Sequence, residues 1–226
     1  MNEGPDPPLI HRVLEPRLGA PPYPALLLLH GRGSNEMDLL GLGPELDERL
    51  FVISARAPYT LMPGSYQWYD LYAAMAGTPT DERIEHSLGL VEGLVDRAVK
   101  TYPIDPRRLY VGGFSMGGAM TLAALLTFPE KIAGAIVLSG ASPLNHDLIW
   151  RTDEAAGKPV FQAHGTLDDV LPIQIGRATR DFLAGTPALL TYREYPIAHT
   201  VDPAELADAS AWIHGLLDID TGEAPA

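Results

Sequence analysis

Residues 109–120 read LYVGGFSMGGAM, an apolar run leading into one serine, Ser115, set between two pairs of glycines. Two readings compete: a glycine-rich turn with a spectator serine, or a nucleophile held on a tight strand-to-helix corner. Alone, G-x-S-x-G is weak. In a chain with 22 glycines it arises by chance in roughly one sequence in ten at ordinary serine frequency. Its setting is more telling. An apolar strand ends at Gly113, and a small-residue helix, MGGAMTLAALL, starts after Ser115. That is the frame in which a serine is presented at an apex. The apex puts the serine in an unfavourable backbone conformation, and residues two positions away on either side come too close for a Cβ. Gly113 and Gly117 meet that demand. Gly118 and Ala119 let the helix pack tightly on a sheet, its positive end aimed at the serine.

Outward from this corner the chain alternates. Strand-like runs are ALLLL (25–29), FVISA (51–55), LYVGG (109–113), GAIVLS (134–139), PVFQAH (159–164) and LLTYREY (189–195). Most are continuously apolar, as strands covered on both faces must be. Helical patterns separate them: 81–101, 116–127, roughly 173–183, and 203–217, where Pro203 suits a first turn. The 81–101 segment carries Ile84, Leu88, Val91, Leu94, Val95 and Ala98 on one stripe. Such alternation predicts an α/β fold with a mostly parallel central sheet and helices on both faces. The proline-rich segment 1–24 offers at most a short edge strand at Leu9–Leu14. Neither a repeat nor a linker interrupts the pattern, so 1–226 reads as a single domain.

The totals narrow the function. A chain of 226 residues that is 46% apolar and 20% charged suits one soluble globular core. Its net charge of −13 opposes phosphate backbones and anionic lipid, and no Lys/Arg cluster overrides it locally. With no cysteine, disulfides, thiolate metal sites and a cysteine nucleophile are excluded. The N-terminus lacks the basic start and apolar run of a signal peptide. No apolar run, the five residues of Ala25–Leu29 included, approaches the length needed to span a bilayer. A cytoplasmic location is the default.

A serine nucleophile needs a base and an acid. On this frame they follow the serine in the order acid, then histidine. Of seven histidines, only His199 and His214 come late enough. His214 lies inside the final amphipathic helix, where a structural role fits. His199, in YPIAHT, sits in a loop just past a strand's C-terminal end, where binding residues of open α/β sheets gather. The acid is Asp168 or Asp169, neighbours in FQAHGTLDDVLP after the preceding strand, and spacing does not separate them. For the oxyanion, Met116 supplies a backbone N–H at a helix start. LLLLHGRGSNEMD offers a second donor at Arg32, with His30 shaping the loop. GRG lacks the third glycine of a dinucleotide fingerprint and the Gly-Lys-Ser/Thr of a P-loop.

Five blocks in order, LLLLHGRGSNEMDL, YQWYDL, IDPRRLYVGGFSMGGAM, FQAHGTLDDVLP and YPIAHT, resemble the phospholipase/carboxylesterase family of α/β-hydrolases, which includes the acyl-protein thioesterases. The resemblance spans about Ala25–Leu217. It implies Ser115 as nucleophile, His199 as base, Asp168 as the triad acid, and Arg32 and Met116 as oxyanion donors. It also places Trp68–Asp70 near the substrate groove. The residue after the serine, often glutamine in the thioesterases, is Met116 here. A general carboxylesterase is therefore expected ahead of a depalmitoylating or acyl-carrier thioesterase.

The expected reaction is hydrolysis of short- to medium-chain esters through an acyl-enzyme, with no cofactor and no metal. The expected partner is a small-molecule ester, without nucleic acid or stable membrane association; a homodimer is compatible with the composition. The connection around GASPLNHDLIWRTDEAAGK has room for a flap carrying Leu144 and Trp150, but not for a large cap domain. YQWYDLY (66–72) is expected to form a second groove wall, with Trp68 nearest the acyl chain.

Overall fold

The computed structural model describes residues 9–71, 81–142 and 150–221. Its centre is β2 (Tyr23–Leu29), a strand whose side chains alternate between two cores. Ala25, Leu27 and Leu29 point into one, Leu26 and Leu28 into the other. This two-sided burial is why the run is apolar throughout. β2 pairs in parallel with β3 (Phe51–Ala55) on one side and β6 (Ile104–Phe114) on the other. β7 (Gly134–Leu138), β8 (Pro159–Gly165) and β9 (Leu189–Tyr195) extend the parallel sheet beyond β6. β1 (His11–Leu14) closes the opposite edge antiparallel to β3, giving the order β1-β3-β2-β6-β7-β8-β9.

Helices cover both faces. α2 (Asp81–Thr101), α3 (Met116–Thr127) and α4 (Ile173–Ala184) bury Leu88, Leu122 and Leu183 in the first core. α1 (Leu42–Leu46) and α5 (Pro203–Thr221) bury Leu46, Ala209 and Ile213 in the second. α3 is buried at every residue from Met116 to Leu126. Its all-round apolar composition therefore belongs to a central helix. Each fully buried leucine there contributes about 1.5–3 kcal/mol relative to exposure.

Three features depart from the sequence expectation. β6 starts at Ile104, not Leu109. Its polar opening IDPRR is held because the buried Asp105 carboxylate accepts hydrogen bonds from the Arg107 N–H and from the Arg107 and Arg108 guanidinium groups. A two-stranded hairpin, β4 (Tyr59–Met62) and β5 (Ser65–Gln67), is an addition that the sequence pattern does not predict. The short α1 is another. Among the described residues no helix is long and apolar enough to cross a membrane, and no large cap domain stands over the sheet.

The parallel strands end together at Leu29, Phe114, Leu138, Gly165 and Tyr195. The loops leaving that carboxyl edge carry His30–Ser34, Ser115, Asp168 and His199, where open α/β sheets place their ligand sites.

Candidate active site

Ser115 sits at the junction of β6 and α3 with φ 55° and ψ −118°, a conformation costly for a residue with a Cβ. Its surroundings over-determine it. The Ser115 N–H donates to Leu138 O (2.9 Å), and the Ser115 carbonyl accepts from the Ala119 N–H (3.1 Å). A Cβ on Gly113 would lie 2.4 Å from the Gly117 backbone, and one on Gly117 only 1.9 Å from Leu29 O. Strand, corner and helix therefore meet backbone against backbone. Only glycine permits that approach.

The structure brings Asp168, His199 and Ser115 into one hydrogen-bonded line. The Ser115 hydroxyl donates to His199 Nε2 over 2.9 Å, and the opposite ring nitrogen, Nδ1–H, donates to Asp168 Oδ2 over 2.6 Å. Because a carboxylate only accepts, Asp168 fixes the tautomer that leaves Nε2 open to a proton. Phe114 packs its ring against the imidazole at 4.8 Å between centroids. The Asp168 side chain is wholly buried, and that of His199 is 14% exposed.

Burial alone would raise the Asp168 carboxyl. Hydrogen bonds from His199 and from the Leu171 and Val170 N–H groups outweigh it, so the group lies below its ordinary range. Asp169, the other candidate acid, faces solvent. His164, to which the sequence pattern assigns no role, is fully buried behind the acid loop. Its Nε2–H donates to Leu171 O (2.7 Å), the residue whose N–H holds Asp168. The signal that could have found it is its place at the end of β8, directly before that loop.

The loop after β2 rests on Ser115. A Cβ on Gly31 would stand 3.5 Å from the Ser115 Cβ and 3.3 Å from the Phe114 ring. His30 is fully buried, and burial pushes its imidazole below the ordinary value. Its Nε2 accepts from the Ala57 N–H (3.1 Å), so Nδ1 carries the proton and donates to Gly31 O (2.7 Å). Arg32 and Met116 thus occupy the two backbone segments that flank Ser115. Arg32 also donates through Nε to Gln67 Oε1 (3.3 Å).

The groove expectations fare differently. Trp68 is 0% exposed and belongs to the first core, so it forms no groove wall. The reason is a partner for its polar edge: the indole N–H donates to His30 O at 2.9 Å, which draws the ring inward. Trp150 is half-buried against that core. Leu144 and Tyr72 lie outside the described residues.

A buried carboxylate, an oriented imidazole and a strained serine can together deprotonate the hydroxyl as it attacks an electrophilic carbon. Comparison with known proteins places nearly the whole chain in one family. Residues 11–217 match the model of the phospholipase/carboxylesterase family. Acyl-protein thioesterase 1 of Mycosarcoma maydis is 31% identical over 230 residues, covering 91% of this chain and 96% of that protein. Carboxylesterase SOBER1 of Arabidopsis thaliana is 30% identical over 151 residues, 65% of this chain and 66% of its own. The crystal structure of the Bacillus cereus carboxylesterase superposes with a TM-score of 0.80 at 25% identity, covering 92% of this chain and 94% of that one.

Proposed function

The chain belongs to the phospholipase/carboxylesterase family of α/β-hydrolases, and from that premise we propose that it is a serine carboxylesterase acting on short- to medium-chain carboxylic esters. The observation that carries this reading is the unbroken line from the Asp168 carboxylate through His199 to the hydroxyl of a strained Ser115.

Ser115 Oγ attacks the ester carbonyl while His199 Nε2 takes its proton. Asp168 stabilises the imidazolium that forms. The tetrahedral oxyanion is held by the N–H groups of Arg32 and Met116, donors fixed before the charge appears. Collapse breaks the bond to the alkoxy group, which leaves as the alcohol with the proton from His199. Water then attacks the acyl-enzyme through the same base, releasing the acid and restoring the serine.

The test is covalent labelling. A fluorophosphonate probe should label Ser115 alone, and Ser115→Ala should lose both label and ester turnover while keeping its thermal transition. Label persisting in that variant rejects the assignment.

A second reading, an acyl-protein or acyl-carrier thioesterase or a lysophospholipase of the same family, is favoured by the 31% identity to an acyl-protein thioesterase across nearly the whole chain. Matched oxygen and sulfur esters of one acyl chain decide between ester and thioester. The carboxylesterase reading requires the oxygen ester to be turned over at a comparable or higher kcat/KM.

A further inference from the structure

We propose that Trp68 is a positioning residue for the oxyanion hole, a buried residue whose indole holds the His30 carbonyl against which the segments carrying the Arg32 and Met116 donors are set. The inference rests on the esterase reading above and concerns how its charge-stabilising site is built.

Residue 68 has three polar groups, and all are engaged. Its indole N–H donates to His30 O (2.9 Å), at the root of the loop that bears Arg32. Its backbone N–H is directed at the Met116 sulfur (3.4 Å), on the residue that follows the nucleophile. Its carbonyl accepts from Ser87 Oγ (2.6 Å), which ties it to α2. The indole also packs against the His30 imidazole, 5.6 Å between centroids and tilted by 38°.

Peptide geometry turns these contacts into direction. Trans peptide planes point C=O and N–H to opposite sides. Trp68 holds the His30 carbonyl and the His30 ring holds the Gly31 carbonyl. Two successive planes are then fixed, and the N–H of Arg32, opposite the Gly31 carbonyl, has its direction set. Two further hydrogen bonds keep the loop against the segment that presents Trp68. Gly33 N–H donates to Tyr66 O (2.8 Å), and Tyr66 N–H donates to Ser34 O (2.9 Å).

On the other side, Gly117 is jammed against the carbonyls of Leu29 and His30, where a Cβ would approach to 1.9 and 2.6 Å. The His30 carbonyl that Trp68 holds is thus also a surface on which the start of α3 rests. Movement of that carbonyl would shift both donors relative to Ser115. Since stabilisation depends on donors held near 2.7–3.1 Å from the oxyanion, a displacement of a few tenths of an ångström reaches the transition state and spares ground-state binding.

The decisive variant replaces Trp68 by 3-benzothienylalanine, which puts sulfur where the indole N–H stood and changes little else in shape. Hydrolysis of p-nitrophenyl butyrate, inhibition by an alkyl trifluoromethyl ketone and thermal unfolding are measured together. The ketone adds Ser115 Oγ to its carbonyl, the serine proton passing to His199, so its adduct places an oxyanion in the hole. We expect kcat to fall about tenfold or more with KM within about twofold, and the ketone's affinity to fall by the same factor. Butyrate, the product, should inhibit as before. Trp68→Phe should move in the same direction. Ser87→Ala loosens residue 68 without touching the indole and carries the same readouts if the other two fail to fold. An unchanged kcat in a folded variant, or a kcat loss without a matching loss of ketone affinity, overturns the proposal. A wild type that neither hydrolyses the ester nor binds the ketone removes the esterase reading and this inference with it. An active wild type with an unaffected variant removes only the inference.

Discussion

Neighbouring aspartates at 168 and 169 are chemically identical in sequence and unlike in space. Asp168 is buried and accepts from His199 and two backbone N–H groups, whereas Asp169 is exposed. Asp168→Asn should reduce kcat by about three to four orders of magnitude, because an amide NH₂ can donate to Nδ1 and so favours the tautomer that cannot take the serine proton. Asp169→Asn should stay within about twofold. Comparable losses at the two positions, measured on one ester at the plateau of the pH profile, would deny that burial and partner choice make the acid. The residues that chemistry forces to be special are legible in the sequence itself. Glycines around a serine, and a histidine and an acid in loops after strands, carry meaning by type and order. Trp68 is not legible, for the converse reason. An aromatic residue near other aromatics reads equally well as wall or core, and the carbonyl that draws its N–H inward belongs to His30, thirty-eight positions earlier.

Elements are legible in proportion to how completely they are covered. β2, β3, β7 and β8 are buried on both faces, and their apolar runs mark bounds within one or two residues of those observed. The β4–β5 hairpin leaves no such mark because its strands are short and half-exposed, and its pairing is interrupted between Thr60 and Met62. α5 holds a group that no periodicity reveals as unusual. Glu205, in its first turn and six residues after His199, is fully buried. Burial first, and then the nearby Asp202 carboxylate, push its carboxyl up to about 8 from 4.5. A folded-state value above the unfolded one means the native protein keeps a proton that the unfolded chain releases. Stability tied to Glu205 is therefore intact below about pH 4.5, declines as pH rises, and is lost by about pH 8. Glu205→Gln, which cannot ionise, should match the wild type in acid and exceed it by an amount that grows to the order of a few kcal/mol above pH 8. Chemical denaturation at several pH values measures this. A difference that is constant with pH would mean that Glu205 is ionised in the folded protein.

At the scale of the molecule, one sheet edge gathers every loop of the site, with no large cap over it among the described residues, so a substrate approaches through the field of the whole protein. That field is set by 29 Asp and Glu against 16 Lys and Arg. Arg32, half-buried and bonded to Gln67, acts in the opposite sense only over its own few ångströms. At low ionic strength the excess negative charge repels an anionic ester at distances where Arg32 is one charge among many. The Debye length shrinks from about 30 Å at 0.01 M salt to about 10 Å at 0.1 M. Adding salt should therefore raise kcat/KM for the half-ester of a dicarboxylic acid, lower it for a choline ester of similar size, and leave a neutral ester nearly unchanged. The effect should lie in kcat/KM rather than kcat, because screening alters encounter and not the chemistry of a bound substrate. Equal salt dependence for the three esters would show that the net charge does not reach the mouth of the site. A reversed order, with the anionic ester fastest at low salt, would place local cations such as Arg32 in control of which esters enter.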